Sequence, residues 1–167
     1  IKLIRKYLKK INFFKKIIFK FRNNNLGLSK SFITGIDYVL NKEKKIIVLE
    51  DDNRVGKYFL NYMNDALNMY EKHNKVSSIS GYVYPINTNQ EKNETFFIRG
   101  ADCWGWGTWR RAWSTFEKDG EVLINKILKK KLSHDFNFSG SIDLVQMLQD
   151  QIDKKNDSWA VRWIASN

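Results

Sequence analysis

Three consecutive carboxylates, Glu50, Asp51 and Asp52, follow the apolar run Lys45 to Leu49 (KIIVL). Side by side they repel one another, and a cation held between them and a phosphate would relieve that repulsion. Hard oxygen ligands suit Mn2+ or Mg2+, ions that take one or two protein carboxylates and let substrate phosphates complete the shell. The β-branched run before the acids has the composition of a buried parallel strand, and open α/β sheets bind ligands at the carboxyl ends of their strands. An exposed acidic turn without a ligand is the competing reading.

Tryptophans form the second chemical feature. Trp104 and Trp106 flank Gly105, and small residues there would let rings and backbone approach a flat ligand such as a sugar. Trp106, Trp109 and Trp113 also stand at i, i+3 and i+7, so burial on one helix face explains some of them equally well. The two histidines, His73 and His134, have no partner at metal-ligand spacing. No phosphate-binding glycine loop, dinucleotide fingerprint, zinc-finger spacing or nucleophile elbow is present.

Periodicity places these residues on alternating elements. Ile1 to Ile11 has the spacing of an amphipathic helix, and Lys16 to Phe21 (KIIFKF) reads as a strand. Asn23 to Gly27 signals a turn, with Ser29 positioned to cap a helix from Lys30 to about Asn41. After the acids, Lys57 to His73 is helical, Val76 to Ile79 is a strand closed by Gly81, and Asn87 to Glu94 is a polar stretch. Phe96 to Ile98 predicts a short strand. Two helices, about Glu121 to Leu132 and Ile142 to Ile152, precede the last segment, Asp157 to Trp163. The alternation predicts an α/β fold, a mostly parallel central sheet flanked by helices, in a single domain over residues 1–167.

Charge is unevenly spread. The chain of 167 residues has a formal net charge of +11, and residues 1 to 22 hold nine Lys or Arg and no acid. Such a field attracts nucleotide diphosphates, anionic membrane and nucleic acid alike. A basic nucleic-acid or anionic-membrane binding module without catalysis is therefore the alternative to an enzyme. Cys103 is the lone cysteine, so no intrachain disulfide forms, and a reducing compartment fits. No apolar run approaches the roughly 20 residues that cross a bilayer.

Several segments together resemble one family. NNNLGLSKSFITGIDYVL (23–40) followed by KKIIVLEDDN looks like the Asn-x-Gly, helix, strand and DxD-type pattern of GT-A glycosyltransferases. FLNYMNDALNMYEKHNKVSSISGYVYP, WGWGTWRRAW (104–113) and DSWAVRW (157–163) resemble bacterial family-two sugar transferases. The EDD signature is also similar to that of the eukaryotic GlcNAc transferases of N-glycan branching. The resemblance implies a metal-dependent, inverting transfer from a nucleotide-sugar donor, a UDP-sugar, to an acceptor hydroxyl on a glycan, lipid-linked or protein acceptor, in bacterial surface polysaccharide or glycoprotein synthesis. It implies Asp52 as metal ligand with Mn2+ or Mg2+, and Glu50 and Asp51 facing the donor's sugar and ribose. Lys30 and Arg99 are candidates to approach the diphosphate. Asp157 would be the catalytic base, with Asp143 as the alternative, and Trp159 would join Trp104 and Trp106 as an acceptor wall. Nucleic acid is then not a partner, and a cytoplasmic enzyme touching the inner membrane face through residues 1–22 is expected. GT-A domains also have an upstream uracil-binding strand and a downstream closing loop, so the resemblance implies a domain incomplete at both ends with weak or no donor binding.

Overall fold

The computed structural model describes residues 2–84 and 95–167, so the polar stretch Asn87 to Glu94 lies outside the described residues. The chain is mixed α/β. In order along it come α1 (Lys2–Leu8), α2 (Leu28–Leu40), β1 (Lys45–Val48), α3 (Phe59–Met69), β2 (Ser78–Ser80) and β3 (Trp106–Trp109). Then follow α4 (Arg110–Trp113), α5 (Gly120–Lys129), α6 (Ser133–Phe136), α7 (Leu144–Ile152) and α8 (Trp159–Ser166).

The three strands lie in the order β1-β3-β2, and both ladders are antiparallel. β1 and β2 consequently run in the same direction, connected through α3, with β3 inserted between them in the opposite sense. The mostly parallel pairing expected from the KIIVL run is not found among the described residues. A strand absent from the periodicity reading, β3, occupies the place where β1 and β2 would otherwise pair.

Strand alternation sorts side chains onto two faces. Ile47, Gly107 and Ile79 are aligned across the sheet. With Trp109 they meet Met63 and Leu67 of α3. A Cβ on Gly107 would stand 3.0 Å from both Met63 Cε and the Ile46 carbonyl oxygen, so the central strand must be bare where α3 crosses it. On the opposite face Ile46, Val48 and Trp106 pack against Ile33, Ile36 and Leu40 of α2 and Trp159 and Trp163 of α8. Val161 of α8 reaches a further core formed by Leu123 and Ile127 of α5 and Leu144 and Leu148 of α7. The helical pattern inferred for Trp106 to Trp113 is thus half wrong. Trp106 and Trp109 belong to a strand buried on both faces, and the helix begins only at Arg110.

Other boundaries differ for local reasons. Lys16 to Phe21 and Phe96 to Ile98 form no strand among the described residues, because a run of strand-favouring residues supplies no ladder partner of its own. Ser29 does not cap α2. The cap position is Gly27, and Ser29 sits buried inside the first turn.

The two arginines after β3 finish the flanking helices, whose last carbonyls have no partner within the helix. Arg110 donates from Nε to the Leu40 carbonyl at 2.5 Å and from Nη2 to the Glu43 carbonyl at 3.0 Å, at the end of α2. Arg111 donates to the carbonyls of Glu71 (2.8 Å), Tyr70 (3.0 Å) and Val76 (2.9 Å), just past α3, with its guanidinium over the Trp109 ring. Arg111→Leu leaves three acceptors without their donor. Urea unfolding should show a loss of about 2–4 kcal/mol, from one to three lost charged hydrogen bonds.

Candidate functional site

β1 releases the chain at Val48, and the acids form the turn that follows. Asn53 closes it: its side-chain carbonyl accepts from the Glu50 N–H at 3.0 Å, and its own N–H donates to the Glu50 carbonyl at 3.2 Å. Asp51 and Asp52 are exposed, while Glu50 is half-buried. Burial first, and then the charges of Asp52 and Asp51, hold the Glu50 carboxyl above its ordinary value.

Asp52 opens on a cleft of about 220 Å³ whose lining also includes Arg54, Phe59, Tyr82 and Trp104. Its floor is a close crossing of two backbones, where the Gly81 N–H donates to the Gly105 carbonyl at 2.8 Å. A Cβ on Gly81 would lie 2.4 Å from Phe59 Cε2 and 2.8 Å from that oxygen, and Gly105 has φ of 66°. Both glycines are therefore required by the crossing. Trp104 is 47% exposed and packs with Tyr82 and Tyr84 at ring-centroid distances of 5.2 and 5.9 Å, which makes an aromatic platform at the cleft's rim. Asp102 orients it, accepting from the Trp104 N–H at 2.7 Å.

The structure thus brings Asp52 and Trp104 together on one cleft; Glu50 and Asp51 lie on the same turn as Asp52 but are not among the residues lining that cleft. Trp106 and Trp159 are core residues whose rings stack on each other at 5.6 Å, with Phe32 also stacked on Trp159 at 4.9 Å. Neither presents a face to an acceptor, so the expected wall reduces to Trp104. Arg99 pairs with Asp135 at 3.4 Å and lines a different cavity, of about 590 Å³, which shares no lining residue with the Asp52 cleft. Lys30 is exposed on α2 and is not part of the cleft lining.

Asp157 is not the cap of α8; Ser158 is, accepting from the Val161 N–H. The Asp157 carboxylate is 67% exposed and accepts at 3.2 Å from Arg162. That guanidinium is itself buried and also donates to Ser29 Oγ and to the carbonyls of Ser158 and Lys118. Asp143 is the α7 cap, accepting from the Gln146 N–H at 3.0 Å and from the Asn137 amide at 3.2 Å. The Cys103 thiol is pushed up to about 11 by burial and by the Asp102 and Glu50 charges, so it stays protonated and is a poor nucleophile.

Arg54, Tyr82 and Asp102 were not singled out from the sequence. Arg54 follows the triplet by two residues, and its proximity was the available signal. Tyr82 and Asp102 reach the cleft through the sheet, which no local pattern reveals. Among the described residues no three His, Cys, Asp or Glu side chains converge as a ready metal cage. A site of one or two exposed carboxylates on one rim is compatible with an ion whose shell a bound phosphate completes. Comparison with protein-family models, curated proteins and solved structures gives no match to this chain.

The Glu50 environment has a consequence for stability. A carboxyl raised in the folded state binds its proton more tightly there than in the unfolded chain, so its contribution is full at low pH and is lost as pH rises through the raised value. In chelator-treated protein, Glu50→Gln should melt at a higher temperature than the parent at neutral pH. The gap should close as pH falls below the ordinary value of 4.5. Paired thermal scans across that range check it.

Proposed function

We propose that this chain carries the donor-side acids of a divalent-metal-dependent glycosyltransferase of GT-A type, using a nucleotide-diphosphate sugar. The observation that carries the reading is the placement of Asp52 and Trp104 on one cleft at the carboxyl end of β1. A charge suited to a metal–diphosphate and an aromatic face suited to a sugar ring then serve one ligand. The unidirectional pair β1 and β2, joined through α3, supports the α/β part of the reading.

In the reaction proposed, an acceptor oxygen attacks the anomeric carbon as the bond from that carbon to the diphosphate oxygen breaks. The nucleotide diphosphate departs with that bond's electron pair, and the acceptor's proton passes to a carboxylate. Mn2+ or Mg2+, when bound, would neutralise the leaving diphosphate. Asp52 is the ligand we assign to it. Arg54, on the same cleft, supplies a positive charge for the phosphates, and Trp104 with Tyr82 and Tyr84 provides the stacking platform. Asp157 is the base we assign. That assignment rests on the resemblance of the 157–163 segment: the exposed Asp157 carboxylate accepts from Arg162 and is not among the residues lining the Asp52 cleft, whereas Asp143 is occupied by its capping bonds.

The test is made in the full-length protein with UDP-sugars and Mn2+. Asp52→Asn should abolish metal-dependent transfer and donor hydrolysis; unchanged activity removes Asp52 from the metal. Asp157→Asn should lower kcat by about 10²–10⁴-fold, the usual range for loss of a general base, with donor affinity nearly intact. Retained turnover places the base elsewhere.

A further inference from the structure

The first 22 residues are doubly unusual: they hold nine Lys or Arg without a single acid, and they leave large apolar side chains in water. On α1, Leu3 and Ile4 are 83% and 62% exposed; beyond it Phe13, Phe14 and Ile18 are 76%, 56% and 58% exposed. Exposed lysines Lys6, Lys9, Lys10, Lys15 and Lys16 are interleaved with them. The segment is nonetheless fixed to the body at its far end. Arg22 donates to Thr34 Oγ1 on α2 at 2.5 Å, Arg5 donates to the Arg22 carbonyl at 2.6 Å, and the Lys20 ammonium lies 3.8 Å from the Tyr38 ring centre.

We infer that residues 3–22 are a docking surface for an anionic lipid membrane. Lysines would meet lipid phosphates and carboxylates while the phenylalanines and aliphatic side chains enter the boundary between headgroups and acyl chains. Nucleic acid satisfies the charges equally well, but it offers nothing to Leu3, Ile4 and Ile18, which have no π-face on which a base could stack. A membrane accommodates both halves of the pattern. Among the described residues no helix is long and apolar enough to cross a bilayer, so the contact proposed lies on the surface. This inference goes beyond the donor-site reading and stands without it.

Cosedimentation with vesicles tests it. The protein should bind phosphatidylcholine–phosphatidylglycerol vesicles, leave pure phosphatidylcholine vesicles unbound, and bind less as salt rises. Phe13→Ser with Phe14→Ser, and separately Lys15→Gln with Lys16→Gln, should each lower partitioning about tenfold or more, with circular dichroism unchanged. Equal binding to neutral and anionic vesicles, or to neither, overturns the inference. So does single-stranded RNA binding that displaces the vesicles and is untouched by the phenylalanine changes. A dimer in light scattering that those changes dissolve would assign the segment to a second copy of the chain and equally overturn it.

Discussion

Trp106 is the contact on which the remaining structure depends. It is the first residue of the central strand, it is fully buried, and its ring meets Trp113, Trp159 and Trp163 at centroid distances of 6.2, 5.6 and 5.7 Å. Those three rings come from α4 and α8, so one side chain joins the sheet to the C-terminal helices. Truncating a buried aromatic of this kind costs about 3–5 kcal/mol. Unlike Trp109 and Trp113, whose indoles donate to the Leu67 carbonyl and to Asp37, the buried N–H groups of Trp106 and Trp163 have no partner among the described residues. Apolar contact therefore outweighs polar satisfaction at this point in the core.

The same strand positions the cleft. Val48, the last residue of β1, is paired with Trp106, and Ser80, the last of β2, is paired with it from the other side. The chain leaving β1 carries the acids, the chain leaving β2 carries Gly81 and Tyr82, and the chain entering β3 carries Trp104 and Gly105. Three segments distant in sequence are brought to one edge because their strands end in register there.

Much of the helical structure was legible because its helices expose one side, which writes the 3.6-residue period into the sequence. α2, α3, α5 and α7 follow that rule. β3 does not: all four of its residues are buried, so it has no alternation to read, and its tryptophans imitate a helix by chance of spacing. Strand direction was illegible in KIIVL for a related reason. Apolar composition reports burial on both faces, and burial is indifferent to whether the neighbour runs parallel or antiparallel. The acids were legible at the site because they are contiguous. Trp104 and Trp159 could not be told apart by type, and only the packing shows that one ring is open and the other enclosed.

The electrostatics of the cleft decide what kind of ligand suits it. Burial, and after it the charges of Asp52 and Asp51, make Glu50 hold its proton more tightly than an ordinary carboxyl. Arg54 stands on the same cleft as Asp52. A free anion would be drawn to Arg54 and repelled by the acids, and a free cation would meet the reverse. A phosphate that brings its own divalent ion satisfies both at once, placing positive charge on Asp52 and negative charge on Arg54. On the function proposed above, Asp52 and Arg54 would take a metal–phosphate as a unit, with the rings of Trp104 and Tyr82 on the same cleft as the stacking face for its sugar.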